Sequence, residues 1–402
     1  MILAHVIALD PTCKQANALA RAAGCARFAY NWGLAEWERQ YKAGLKPNAF
    51  GVRKAFNVIK GTEFPWIYDS PKDANQEAFS DLGVAFKNFF ESRSGKRKGP
   101  PVGYPTRRKR GRKDSFYVSS DRLSFKGSHL VRLPVIGNVK TSEELRFKGK
   151  ILGATVSKKA GRWYLSVQVD CEARVPNDTN RAVLGIDLGL KTAIVTSAGE
   201  EIQAPKPLKA ALYKLKRANR TLHRRIKGSV NRKKAALKVA KIHAKIANIR
   251  KDFLHKVTYR LARENQTIVI EDLNVRGMLR NHKLARAISD VGFGKFRVFL
   301  TYKTERFGTR VIVADRWFPS SKRCHGCGKV KETLDLSERT YMCDNCGLVE
   351  DRDRNASINL EMYPGLPGNT TPVDTRASAS RKRKVSSVVE AGTNPCSLTG
   401  TT

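Results

Sequence analysis

Acidic residues are the scarce class in this 402-residue chain. Asp and Glu together number 36 against 76 Lys and Arg, a formal charge of +40 at pH 7. Between Ile202 and Lys251 there is no acid at all. A surface of one sign repels itself unless a polyanion covers it, so nucleic acid is the expected partner. A basic membrane-surface protein would concentrate its charge on one amphipathic helix, whereas here it is spread from Arg107 to Lys384. Long apolar runs are missing too, which excludes an integral helical membrane protein. The apolar opening from Met1 to Asp10 has no basic lead and ends in an acid, so it reads as a strand and not as a secretory signal. A disulfide framework is absent as well. Of eight cysteines, Cys13, Cys25, Cys171 and Cys396 are scattered without framework spacing, which suits a reducing cytosol. With 41% hydrophobic residues the chain still has enough apolar content for about two or three domains with proper cores.

The other four cysteines are closely ordered: Cys324-His-Gly-Cys327, fifteen intervening residues, then Cys343-Asp-Asn-Cys346. Two C-x2-C knuckles at this separation are the spacing of a tetrahedral four-thiolate zinc site, because each short loop presents two sulfurs to one ion. Gly326, Gly328, Asn345 and Gly347 suit the tight turns. Such a zinc is structural and closed to substrate, so chemistry has to be sought elsewhere.

Along the chain, apolar periodicity predicts helices over residues 14–41 and 72–90, whose aromatics read as core and not as base-stacking platforms. A basic run follows that no core could bury: Arg107, Arg108, Lys109, Arg110, Arg112 and Lys113 are expected on phosphate. Short alternating segments at Phe116 to Val118, Leu130 to Leu133 and Leu145 to Phe147 come next, with a hairpin of Ile151 to Val156 against Trp163 to Val169. Together they predict a small β-barrel into which the preceding helices are inserted. A new domain begins near Arg181 with the buried-type strand Ala182-Val-Leu-Gly-Ile-Asp187.

An antiparallel helical hairpin is expected over residues 205–264. One arm carries its seam on Leu208, Leu212, Leu215, Leu222 and Ile226, the other on Val239, Ile242, Ile246, Ile249 and Phe253. Its outward faces are basic, with Arg217, Arg220, Arg224 and Arg225 as candidate nucleic-acid contacts. Gln266 to Leu273 is a second apolar strand ending in acid, a helix is predicted over residues 285–307, and Thr309 to Asp315 is another strand. Beyond Pro364 the composition predicts disorder.

Three acids stand out by position: Asp187 and Glu271 at strand ends, and Asp353 at the start of a predicted helix opening Asp351-Arg-Asp353-Arg-Asn355. Taken singly, each has a structural explanation, as a turn cap, a lysine partner or a first-turn helix acid. Side by side they would repel unless divalent cations neutralised them, and hard carboxylate oxygens suit Mg²⁺ or Mn²⁺. Such a cluster is what two-metal phosphodiester hydrolysis requires.

These residues carry a family resemblance. Gly185-Ile-Asp187-Leu-Gly-Leu-Lys191, Ile268-Val-Ile-Glu271-Asp-Leu-Asn274, Phe318-Pro-Ser-Ser-Lys322 and Asp351-Arg-Asp353-Arg-Asn355-Ala-Ser-Ile-Asn359 resemble the TnpB (OrfB) family of insertion-sequence proteins, which are similar to type V CRISPR effectors. Ala26 to Asn31 extends the likeness towards the start of the chain. The resemblance implies an α/β multidomain protein: a wedge-type β-barrel (1–10 and 96–178) and an inserted helical recognition domain (11–95). These precede an RNase H-like RuvC nuclease domain (179–318 and 350–366) interrupted by the four-cysteine zinc ribbon (319–349), with a disordered tail (367–402).

It implies an RNA-guided DNA endonuclease that binds a guide RNA from its own element, one chain per RNA, and cuts double-stranded DNA beside a short flanking motif in a bacterial or archaeal cytosol, at the nucleoid. The matching positions make Asp187, Glu271 and Asp353 the catalytic acids and the ligands of two Mg²⁺ or Mn²⁺ ions. The family acid stands two before the Asn, here Asn355, so Asp353 is preferred to Asp351, which is left as a cap. Ser357 departs from the usual Ala. A cleavage-silent guided repressor and a strand-transferring transposase remain alternatives.

Overall fold

Leu3, His5, Ile7 and Leu9 alternate inward along β1 (Ile2–Asp10), and this period of two makes the opening segment a half-buried strand. The computed structural model describes residues 1–172, 181–335 and 337–365, and Contacts divide the chain near residue 172 into two compact units. The expected tail and the end of the expected barrel segment, residues 173–178, lie outside the described residues.

In the first unit, β1 is followed by three helices: α1 (Cys13–Lys42), opened by a Thr12–Gln15 capping box, α2 (Ala49–Glu63) and α3 (Lys72–Arg93). Six strands come next: β2 (Ser115–Ser119), β3 (Ser124–Phe125), β4 (Leu130–Leu133), β5 (Gly137–Thr141), β6 (Lys150–Lys159) and β7 (Arg162–Asp170). With β1 they form a seven-stranded antiparallel sheet in the order β2-β6-β7-β1-β5-β4-β3. The predicted hairpin is β6–β7, closed by the positive-φ pair Ala160 and Gly161.

Leu145 to Phe147, expected as a strand, forms none, although Leu145 and Phe147 pack against the core. β5 escaped notice because Val139 is its one large apolar residue. The helices are not segregated from the sheet: Leu19, Ala22, Ala23 and Ala26 of α1 join the sheet core, and farther along α1 Tyr30, Leu34 and Trp37 join the aromatic core of α2 and α3.

The second unit is built on a five-stranded sheet ordered β10-β9-β8-β11-β12. Its strands are β8 (Arg181–Asp187), β9 (Ile194–Thr196), β10 (Glu201–Ile202), β11 (Asn265–Glu271) and β12 (Arg310–Ala314). β8, β11 and β12 are parallel, and β9 and β10 complete an antiparallel edge. Between β10 and β11 lie α4 (Pro207–His223) and α5 (Val230–Glu264); between β11 and β12 lie α6 (Val275–Met278), α7 (Ala285–Val291) and α8 (Phe293–Phe307).

Alternation along the strands sorts the layers. Leu184, Ile186, Ile268 and Ile270 meet Leu254, Leu261, Phe296 and Leu300 on one face, while Val183 and Val269 meet Leu360 on the other. That second face is covered by α9 (Arg352–Glu361), which follows the short hairpin β13 (Thr340–Met342) and β14 (Val349–Asp351).

The α4–α5 pair forms the expected hairpin, with Ala218, Ile242 and Ile246 buried between its arms. Of the predicted seam residues, Phe253 packs instead against the core of the five-stranded sheet, and two are exposed. Ile226 is 80% exposed because α4 ends at His223, and Ile249 is 38% exposed. Asp290, buried in α7, ties the hairpin down by accepting from the backbone N–H groups of Leu208 and Lys209 at 3.0 Å each and from Arg250 at 3.1 Å. The helix predicted over 285–307 is two helices, because Gly292 at φ 82° breaks the turn. Among the described residues, no helix is long and apolar enough to cross a membrane.

Candidate metal centres

The sulfur cluster is built from two knuckles of the same design. In each, the first cysteine's carbonyl accepts from a positive-φ glycine four residues on, Gly328 to Cys324 at 2.9 Å and Gly347 to Cys343 at 3.0 Å. The ligand atoms of Cys324, Cys327, Cys343 and Cys346 all lie within 4.8 Å of one another. The Cys324–Cys346 and Cys327–Cys343 sulfurs are 3.6 and 3.5 Å apart. A tetrahedron with Zn–S bonds of ~2.3 Å has edges of about 3.8 Å, so the donor set and spacing are compatible with zinc. Tyr341, fully buried, closes one side of the cluster with Leu334 and Leu348.

The carboxylates are assembled by the sheet. β8 and β11 pair in parallel with Ile186 opposite Ile270, so Asp187 and Glu271, one residue farther on, leave the same sheet end on adjacent strands. Asp353 comes to them on the first turn of α9, which lies directly on β8. A Cβ on Gly185 would stand 1.9 Å from the carbonyl oxygen of Ser357 and 2.5 Å from the amide nitrogen of Glu361, so only glycine lets strand and helix come this close. Gly189, in the turn after Asp187, has its Cβ direction 3.8 Å from Asp353 Oδ2. Ser357 is buried and returns its hydroxyl to the Arg354 carbonyl at 2.7 Å.

Electrostatics mark the cluster as frustrated without counter-charge. Burial first, then the charges of Glu271 and Asp353, push the Asp187 carboxyl well above the usual carboxylate range, with Arg352 opposing. Burial also raises Asp353, helped by the charge of Asp351 and opposed by Arg339, whose guanidinium is 4.0 Å away.

Asp351 is occupied as the α9 cap, accepting from the amides of Asp353 at 2.9 Å and Arg354 at 3.1 Å. Asp272, next to Glu271, is held by Arg297 and Arg316 at 2.7 Å each. Pattern reading missed Ser320, buried, whose hydroxyl donates to Glu271 Oε1 at 2.5 Å. Its only signal was the Phe318 to Lys322 motif.

The basic candidates divide. Arg107, Lys109, Arg110, Arg112 and Lys113 are exposed in the first unit, as are Arg217, Arg220, Arg224 and Arg225 on and just after α4 in the second. Arg108 differs from its neighbours: it pairs with Asp81 at 2.7 Å and its guanidinium lies 3.8 Å over the Tyr30 ring.

Comparison with known proteins identifies the family. A model described as "Probable transposase" (OrfB) matches residues 164–282, and one described as "Cas12f1-like, TNB domain" matches residues 293–360. A "Putative RNA-guided DNA endonuclease" of Streptomyces pristinaespiralis is 38% identical, covering 87% of this chain and 86% of that protein. The chain belongs to the TnpB (OrfB) family. The relative named "Putative RNA-guided DNA endonuclease InsQ" of Escherichia coli K12 is 31% identical over 88% of this chain and 90% of its own length. A further TnpB-like relative, from Acanthamoeba polyphaga mimivirus, is 26% identical over 78% of this chain and 62% of its own. A third model, described as a helix-turn-helix domain, matches residues 1–46. In this TnpB-family chain those residues form β1 and the 30-residue helix α1, and not two helices about a turn.

Proposed function

We propose that this chain is an RNA-guided DNA endonuclease of a transposable element, cutting DNA with divalent cations held by Asp187, Glu271 and Asp353. The observation that carries the reading is the parallel register of β8 and β11, which sets Asp187 beside Glu271, with Asp353 brought in by α9. Membership of a family whose relatives are named RNA-guided DNA endonucleases supports it. In this reading residues 179–318 and 350–366 are an RNase H-like RuvC nuclease domain, and residues 319–349 are a zinc ribbon inserted before the last acid. Residues 1–10 and 96–178 are a wedge-type barrel, and residues 11–95 a helical recognition domain.

The hard oxygen donors of the three acids fit Mg²⁺ or Mn²⁺, and their mutual repulsion is the reason they would hold such ions. When bound, two such ions supply an activated water and neutralise charge on the departing 3′ oxygen. The chain's own part is to hold the carboxylates in place: Asp187 and Glu271 on strand ends, Asp353 on a capped helix, and Ser320 as a donor to Glu271. The exposed arginines and lysines of residues 107–113, with Arg217, Arg220, Arg224 and Arg225, contact phosphates. Guide pairing reads the sequence, which accounts for a charge of +40 without many base-reading side chains. One chain per guide RNA, acting at the nucleoid of a bacterial or archaeal cytosol, completes the reading.

The test is to purify the protein with its co-expressed RNA and add matched or mismatched duplex DNA with Mg²⁺. Cleavage of matched duplex alone is expected, with cutting undetectable in Asp187→Ala that still retains RNA. Cleavage without RNA, or by Asp187→Ala, refutes the reading. Guided binding with no cut would make the chain a repressor, and joining to a DNA 3′ end would make it a strand-transferring transposase.

A further inference from the structure

Three buried polar side chains lie between the sulfur knuckle and the carboxylates, and all three are hydrogen-bonded within the protein. Ser320 sits in the segment that leaves β12 for the ribbon. Its hydroxyl donates to Glu271 Oε1 at 2.5 Å, and its carbonyl accepts from Asn359 Nδ2 at 2.9 Å. Asn359 also donates to the Arg323 carbonyl at 2.6 Å. One helical turn earlier, Asn355 donates to the same Arg323 carbonyl at 2.8 Å, while its Oδ1 accepts from the His325 amide at 3.1 Å and lies 3.0 Å from His325 Nδ1. Arg323 and His325 flank Cys324, the first sulfur of the cluster. Asn355 stands two residues after Asp353 on the same turn of α9.

Apolar packing does not fix where α9 sits along β8. The Gly185 contact sets how closely helix and sheet approach, but the apolar attraction around Leu360 is non-directional and by itself opposes sliding weakly. Directional bonds to a rigid loop do not tolerate it, and a buried amide that loses its partner is costly to leave unpaired. Both asparagines spend their donors on the loop that the sulfur cluster closes, and the same loop places Ser320 against Glu271. We infer that Ser320 is a positioning residue for Glu271, and that the Ser320–Asn359–Arg323–Asn355–His325 network lets the four-cysteine knuckle set the spacing between Glu271 and Asp353. This rests on the nuclease reading above. The ribbon then holds two carboxylates from different elements in register.

The experiment uses the full-length protein with its co-purified RNA. Ser320→Ala, Ser320→Thr and Asn359→Ala are compared with wild type and Asp187→Ala. The readouts are single-turnover cleavage, Mn²⁺ binding followed by electron paramagnetic resonance without DNA, zinc content and thermal unfolding. Removing an outer hydrogen-bond partner of a metal-holding carboxylate weakens metal affinity or activity by about 10- to 100-fold, so Ser320→Ala is expected to raise the Mn²⁺ half-saturation and lower the cleavage rate by that order. Ser320→Thr keeps the hydroxyl and recovers both. Asn359→Ala is expected to raise the Mn²⁺ half-saturation while zinc stays bound, which an isolated structural role would not do. Wild-type Mn²⁺ binding in Ser320→Ala, even with lowered thermal stability, overturns the inference. If Asp187→Ala is silent at the same time, the nuclease reading stands; if it cuts, that reading falls instead.

Discussion

The two clusters of the second unit use opposite strategies. Four sulfurs come from one short stretch, Cys324 to Cys346, and converge within 4.8 Å through local knuckle geometry. Three carboxylates come from Asp187, Glu271 and Asp353, on two parallel strands and a helix, with Asp187 pushed well above the usual carboxylate range and Asp353 raised from its ordinary value. Soft ligands on a short loop need little beyond their own turns to meet. Like-charged hard ligands have to be held together by the rest of a domain, and their closeness is a cost that the fold carries until counter-charge arrives.

The sharpest way to break this comparison is at Gly185. Gly185→Ala forces α9 away from β8, because the new Cβ would otherwise stand 1.9 Å from a carbonyl oxygen. A displacement of ~1 Å near a reacting centre costs about 100-fold, so cleavage is expected to fall by at least that much. Overpacking should also lower stability by about 3 kcal/mol in a denaturant titration. Zinc content should not change, since both knuckles are local. Loss of zinc in this variant would show that the sulfur cluster depends on the sheet.

Cys343→Ser tests the other side. A structural zinc contributes directly to the folding of its own loop, so this variant should lose its zinc by atomic absorption while the far-ultraviolet circular dichroism of the sheet and helices stays near wild type. Cleavage should drop by about 10-fold through the loosened register of α9. An unchanged rate in the zinc-free variant would mean that the carboxylates do not need the ribbon.

The smallest effect sharpens the comparison by marking a buried charge that serves neither cluster. Lys303 on α8 is buried, donates to the His255 carbonyl and to Thr258 Oγ1, and has its pKa lowered by burial from 10.5 to about 8. The unfolded chain therefore binds more protons between about pH 8 and 10.5, and stability rises with pH through that window. Below it, the buried ammonium costs stability at every pH. Lys303→Met is expected to raise stability at pH 7 by on the order of 1–3 kcal/mol and to flatten the rise above pH 8, as read by urea titrations across pH. Unchanged pH dependence would show that Lys303 is hydrated in the folded state.

Much of this was legible because it is written locally. The knuckle spacing, the strands ending at Asp187 and Glu271, the β6–β7 hairpin and the strongly basic helical hairpin all follow from periodicity and turn residues. Errors arose where a periodic pattern outlasted its element. Ile226 continues the heptad-like spacing after α4 has ended, and residues 285–307 read as one helix although Gly292 turns the backbone. Pairing of Arg108 with Asp81 and the Tyr30 ring, both distant in sequence, is a contact that only the structure brings out.

Which atoms would bind metal, and that the chain carries an unusually basic surface, were decided by composition and spacing, since residue type sets donor chemistry and charge. Where the carboxylates stand relative to one another was decided by folding. Parallel pairing of β8 with β11, the bare Gly185 contact and the buried Ser320, Asn355 and Asn359 bonds join residues far apart along the chain. Such contacts have no local periodicity to announce them, because they depend on the packing of several elements at once.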